Sequence, residues 1–450
     1  MGLLSESRGD GGECDRPGAA GAAAIATAAG SATATATATS IAKRWLTPAL
    51  ILAASTLSGA GTASAATWDL SLDVRGVDSN GRESFLDGGF GKLRYDDDDN
   101  GLHLGRLRAA ISQPLGEVFS AYAEVSSWGD DDKNPLDLTE AFLEYRPYPS
   151  NGFRTRVRLG AFYPPISLEN RATGWETPYT ITPSAISSWI GEEIRTIGLE
   201  GQVDWLGTRT GHSFDLQLTG ALFEWNDPAG VMMALHGWAF DDRQTTLFGR
   251  VGEPGATATY DRELFHEVDH RPGFYVGAQA RYLDRAVLNV VHYDNRADPT
   301  AYDTKIEDFA WQTKFDTAGL RVETSGEWTA LVQWLSGETY IAPNGFSLEW
   351  EFSSRSVLLA KGHGPHTVTV RYDDFEVESG EEEDAGNEAG HAWTVAYALD
   401  RGDHWRFMLE WLRVRSDVKS RPVVLGEPAL ATETKLEVSA RYSISGGIGR

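Results

Sequence analysis

The stretch RTRVRLGAFYPPISLENRATGWETPYTITPSAISSWIGEEIRTIGLEGQVDW, residues 154–205, decides the fold. Both of its ends alternate with the period of a β-strand. Arg154, Arg156 and Arg158 share one face against Thr155, Val157, Leu159 and Ala161, and RTIGLEGQVDW (195–205) alternates likewise. The residues between them, 164–193, show neither strand alternation nor a helical period. Connections of that length are functional or disordered. This one is too rich in Trp, Tyr and Ile to read as disordered.

The same alternation recurs outward from this stretch, in about sixteen segments from 68–77 to 431–445. Their connections alternate in length. Short ones such as QPLGE, PYPSNG, LDRA, TSGE and DRGDH take turns with longer polar ones at 78–100, 129–136, 164–193, 226–272, 295–305, 378–390 and 417–430. In the long series only the connection near 342–344 is short. Short turns at one end and long loops at the other mark an all-β fold, a transmembrane antiparallel β-barrel of the outer-membrane type. Segments of about 9–11 residues suit a tilted strand crossing a bilayer.

Alternation by itself does not say which face meets lipid. The barrel reading assigns the apolar faces to it: Phe346, Leu348, Trp350 and Phe352; Trp393, Val395, Tyr397 and Leu399; Leu436, Val438, Ala440 and Tyr442. Trp68, Trp128, Trp205, Trp225, Trp328 and Trp405 fall at strand ends, where interfacial belts sit.

The chain divides into an extension with a secretory leader, 1–65, and the barrel, 66–450. Residues 1–40 are a low-complexity Ala/Gly/Thr tract. Lys43 and Arg44, the apolar run 45–58 and the small residues 63–65 then form a signal-peptide pattern with cleavage after Ala65. The one cysteine, Cys14, lies ahead of that site, so the exported part is expected to fold without disulfides. The net charge of −25 disfavours nucleic acid as a partner. The expected partners are outer-membrane lipid and lipopolysaccharide, with ions or small solutes as cargo.

GAFYPPISLEN (160–170) leaves a strand and enters the long loop. It resembles the phosphate-selective porin O/P family and the wider porin superfamily at Gly160, Phe162, Pro164, Leu168 and Glu169. The resemblance implies a sixteen-stranded, usually trimeric barrel conducting small solutes, with this third long loop folded inward to narrow the pore. Its Ile, Trp and Tyr would then pack on the inner wall, and Glu169, Arg171, Glu176, Glu192 and Glu193 would face the channel. The alternative is a loop that caps the outer mouth or covers a neighbouring subunit. The chain departs from the family in having no lysine in this loop and in running past Tyr442 as SISGGIGR.

Two strips on the wall bear on selectivity. Arg154, Arg156 and Arg158 lie on one strand and Glu140 and Glu144 on the strand before it. They make either charged strips in the pore or cross-strand ion pairs that hold the wall together. Further polar-face candidates are Glu124, Glu200, Arg281, Lys314 and Arg371.

Acidic runs at 96–100, 129–133 and 380–388 fall in the long loops and read as solvated, with Ca2+ binding as the alternative. Asp96, Asp98 and Asn100 match the first half of an EF-hand loop, but position twelve is Leu107. HEVDH (266–270) fits the zinc-protease pattern, which needs His266 and His270 on one face of a helix and a third ligand. Pro272 ends that segment and a strand follows, so no enzyme is expected. A porin is the first reading. A non-conducting barrel acting as receptor, adhesin or structural anchor is the second.

Overall fold

The computed structural model describes residues 65–130, 136–252, 254, 261–304, 308–342, 345–380 and 385–448. Residues 1–64, which carry the expected leader, lie outside them, as do parts of the acidic runs at 129–133 and 380–388.

Sixteen antiparallel strands close into one barrel. They are β1 Ala66–Ser79, β2 Gly101–Pro114, β3 Phe119–Ser127, β4 Asp137–Tyr145, β5 Phe153–Phe162, β6 Thr196–Trp205, β7 Phe214–Glu224 and β8 Gly273–Tyr282, then β9 Ala286–Asp294, β10 Gln312–Glu323, β11 Trp328–Ile341, β12 Leu348–His363, β13 His366–Ser379, β14 Glu388–Arg401, β15 Trp405–Val418 and β16 Leu430–Ile448. Each pairs with its neighbours in sequence, and β1 closes on β16 from Ala66↔Ile448 to Ser79↔Lys435. Closure leaves no free strand edge, which lipid requires because it offers backbone groups no partner. The chain past Tyr442 continues β16 rather than trailing from it.

Strand length divides the barrel. β3 and β4 have 9 residues each and β5 has 10, enough to cross a bilayer. β12 has 16 and β15 has 14. The surplus rises past the lipid, and the outer wall records it. On β15 the outward residues are Trp405, Phe407, Leu409 and Trp411, followed by the exposed Arg413 and Arg415. On β12, Val357 and Leu359 face out toward the short-turn end, and the exposed Glu349 and Glu351 face out toward the long-loop end.

This corrects one expectation. Leu348, Trp350 and Phe352 face inward and are buried. The strand keeps its period of two, but the chemistry of its faces reverses midway. In the long-loop half the lumen is packed with apolar loop residues, so there the inner face is apolar and the outer face polar. Lys314 likewise points outward, exposed and paired with Glu338 at 2.7 Å. Trp328 and Trp405 are exposed at the short-turn end. Trp128 is buried instead, with the Arg106 guanidinium 5.1 Å from its ring.

Among the described residues three short α-helices sit in loops: α1 Ala185–Glu193, α2 Val231–His236 and α3 Ser420–Val424. The sequence pattern hid α1 because it is buried all round, which leaves no polar face to set a period. Ser184 caps it, accepting from the Ser187 amide.

Candidate functional site

The long loop between β5 and β6, residues 163–195, runs through the barrel lumen. Its entry is set by Gly160, whose φ is +136° and where a Cβ would overlap the Ala141 carbonyl; only glycine fits such a site. Asn289 on β9 donates to the Pro165 carbonyl at 2.9 Å, and the Leu168 amide donates to Gln333 on β11 at 2.8 Å. Arg371 on β13 pairs with Glu169 at 3.0 Å and donates to the Thr182 and Pro183 carbonyls at 2.8 and 2.9 Å. Glu410 on β15 accepts from the Ile181 and Thr182 amides at 2.6 and 3.1 Å. On β16 Arg441 pairs with Glu176, and on β2 Arg106 donates to the Gly174 carbonyl at 2.7 Å. The loop therefore reaches strands all the way round the wall from its own.

A second loop, between β7 and β8, lies against the first. Trp189 of α1 packs edge-on against Trp238, Phe315 and Phe352 at 6.0, 5.2 and 5.0 Å. The Trp238 amide donates to Glu388 on β14 at 3.2 Å. Asp242 of this loop pairs with Arg75 on β1 at 2.6 Å and with Arg94 of the loop between β1 and β2 at 3.0 Å. Burial would raise the Asp242 pKa, but these two guanidiniums hold its carboxyl well below the usual range. Its neighbour Asp241 goes the other way, pushed up by burial and by the carboxylates of Glu192 and Asp242.

Where the two loops meet the β2 and β16 wall, a cleft with about 20 Å³ of water-accessible space remains. That is room for about one water. Arg106, Glu176, Asp241, Asp242, Arg243 and Arg441 line it. The side chains of Glu176, Asp242, Arg441 and Arg243 keep 16 %, 15 %, 16 % and 13 % of their surface open there.

The residues singled out by sequence divide. Glu176 reaches the cleft. Arg171 is exposed and away from the cleft lining. Glu169, Glu192 and Glu193 do not face a channel; all three are buried. Glu169 is taken up by Arg371. Glu192 lies 3.1 Å from His236 Nε2. Glu193 accepts from the Met232 and Met233 amides at 2.8 and 3.3 Å and from the Trp189 indole. Burial, and then the adjacent Glu192, push the Glu193 carboxyl up to about 8. Glu192 and Glu193 join one loop to the other and Glu169 joins its loop to the wall, so the packing takes all three out of the aqueous path.

The arginines of β5 turn to β6 rather than to β4. Arg154 pairs with Asp204 at 2.6 Å, and Arg156 and Arg158 pair with Glu200 at 3.0 and 2.8 Å. Glu140 instead accepts from the Tyr163 amide at 3.1 Å. Glu144 stands opposite Arg158 in register without an ion pair between them among the described residues. The cross-strand ion-pair alternative thus describes the arginines, with a different partner strand.

HEVDH adopts no helix, and its histidines are not brought onto one face. His266 lies near Asp308 at 3.7 Å, while His270 sits in a turn with φ +61°. Asp96 accepts from the Ser84 and Asp98 amides at 3.0 and 2.9 Å, and Asn100 donates to the Ser79 carbonyl at 3.1 Å. Asp87, Asp96 and Asp99 gather closely enough to hold a cation. Sequence reasoning missed Asp242, Arg441, Arg75 and Arg94. Their inward or loop placement was legible, but nothing local says that they converge.

The outer wall with its apolar belt and the closed sixteen-stranded sheet are those of a bacterial outer-membrane barrel. No family model matches the chain, and no curated protein matches it. Solved structures do. The outer membrane channel DcaP of Acinetobacter baumannii aligns over 85 % of this chain and 97 % of its own, with TM-score 0.50 and 10 % identity. In-vitro folded OmpT, an outer membrane protein of Vibrio cholerae, aligns over 86 % and 99 % at TM-score 0.47 and 10 % identity. An anion-selective porin from Comamonas acidovorans aligns over 85 % and 100 % at TM-score 0.44 and 14 % identity. The likeness to DcaP concerns the fold. That fold belongs in the bacterial outer membrane.

Proposed function

We propose that this chain is an outer-membrane porin, a passive diffusion channel for ions or small hydrophilic solutes, narrowed by loop 164–193 and without catalytic residues. The observation that carries the reading is the tethering of this loop to β9, β11, β13, β15, β16 and β2 beside a cleft lined by mixed charge. Preorganised charges in a low-dielectric pore decide which ions pass. The leader at 1–65 directs export and is removed. The barrel assembles as a homotrimer among lipid and lipopolysaccharide. The GAFYPPISLEN element supports kinship with the phosphate-selective O/P porins, and the scarcity of lysine argues for a different solute.

A second reading has its own support. The cleft holds about 20 Å³ of water-accessible space and the second loop lies against the first, as suits a non-conducting receptor, adhesin or anchor. Single-channel recording in planar bilayers decides between them. A porin gives stable steps that grow when residues 168–190 are deleted. A correctly folded barrel that never conducts, with or without that deletion, sinks the porin reading in favour of the second.

A further inference from the structure

The outer wall of β12–β15 carries cations that the rest of the protein leaves unused. Arg355, Arg413 and Arg415 are exposed, and none of their side chains has a hydrogen-bond or ion-pair partner among the described residues. Arginines inside the barrel behave differently: Arg75, Arg106, Arg371 and Arg441 are each paired with carboxylates. The register aligns the outer residues into a row. Arg355 stands opposite Asp374, Asp374 opposite His391, and His391 opposite Arg415. Arg413 stands opposite Trp393, one outward step nearer the apolar belt. Three strand spacings put Arg355 and Arg415 roughly 14 Å apart.

The level of the row is set by its neighbours. Below it lie the exposed Val357, Trp393 and Trp411, residues of the lipid belt and its interfacial edge. Above it stand Glu351, Glu376 and Glu378. An open trough of about 330 Å³ crosses the wall here, lined by Asp374, Glu376, His391, Arg415 and Asp417 among others. It forms because β14 presents only Ala389 and His391 between larger side chains. The carboxylates above repel an anion, hydrocarbon below excludes it, and the carboxylate within the row, Asp374, is outnumbered by the guanidiniums of Arg355, Arg413 and Arg415. The position left is the arginine level, where headgroups of the outer leaflet lie.

We infer that Arg355, Arg413 and Arg415 form an outward-facing site for the phosphate groups of membrane-lipid headgroups. Guanidinium suits the ligand, because its planar fork donates two parallel bonds to one phosphate. The site fixes the height of the long strands in the membrane and orders a ring of lipid against β12–β15. It rests on the membrane-barrel reading and is independent of conduction.

The test titrates detergent-folded protein with phosphorylated lipid A and with the same lipid stripped of phosphate, reading bound lipid by native mass spectrometry. Wild type is expected to favour the phosphorylated lipid by about tenfold, as several charge-assisted bonds allow. R355Q/R413Q/R415Q loses that preference. Lys361→Gln, which removes a cation at the short-turn end, retains it. Equal binding of the two lipids by wild type, or an undiminished preference in the triple variant, overturns the inference. So does excess inorganic phosphate that abolishes the preference, since that identifies a free-anion site. Heat-modifiable gel migration checks each barrel separately, and failure of wild type to show it counts against the membrane barrel rather than the arginine row. If the triple variant does not fold, R413Q/R415Q carries the same comparison.

Discussion

Arg371 on β13 and Glu169 in the long loop meet at 3.0 Å with side chains 0 % and 1 % exposed, joining the loop to a wall eight strands from where it leaves β5. Asp373 also holds the guanidinium at 2.7 Å, so the cation is enclosed by two carboxylates and the loop's own carbonyls. A buried ion pair is weak evidence for stability, but breaking one is costly because a charge is left unpaired.

Removing the cation should therefore release the loop. Arg371→Met strands Glu169 and Asp373 and is expected to cost about 3–5 kcal/mol. Glu169→Gln is milder, because Asp373 still balances the arginine. The check is the denaturant midpoint of refolded barrels together with protease cutting in 168–190; cutting equal to wild type in Arg371→Met would show that the clamp does not hold the loop.

Charge in the cleft should govern ion preference. Glu176 is shared by Arg441 and Arg106, the latter at 3.6 Å. Glu176→Gln removes one negative charge from beside both guanidiniums, which keep Glu124 and Asp73, and should move the reversal potential in a salt gradient toward anions, whereas Arg441→Gln should move it toward cations. Identical reversal potentials in the two variants would place the selectivity elsewhere.

The contact between the loops should respond to pH. Glu193 titrates near 8 in the folded protein, against about 4.3 in an unfolded chain. The folded state thus binds the extra proton between those values, and stability falls as pH rises through the window. Amide exchange at Met232 and Met233 should quicken from pH 5 to pH 8 beyond its intrinsic base dependence. Glu193→Gln should remove the excess.

Gly160 should not accept a side chain. Gly160→Ala adds a Cβ at φ +136° directly onto the Ala141 carbonyl. Little heat-modifiable barrel should form, while Gly201→Ala, where a Cβ meets nothing within 4 Å, should assemble normally.

Trp189 should anchor the loop packing. Trp189→Ala opens a cavity against Trp238, Phe315 and Phe352 and is expected to cost about 3–5 kcal/mol. A calorimetric scan that matched wild type would show that the lumen repacks without it.

The amino-acid sequence by itself determined the strand count, the strand order and which end carries the long loops. These follow from local rules: a period of two along each strand, turn residues between strands, and the length needed to cross lipid. It also marked Glu124, Glu200 and Arg371 as polar-face residues, and all three are buried on the inner wall. Only the tertiary structure decided that Leu348, Trp350 and Phe352 turn inward while Leu436 and Val438 turn out, since both patterns alternate alike. What separates them is the apolar loop packing that barrel closure brings opposite the upper half of β12. The same holds for Glu192 and Glu193. Their burial depends on α2 arriving from a loop some forty residues later, and no local pattern encodes a contact between two loops that meet only inside the closed barrel.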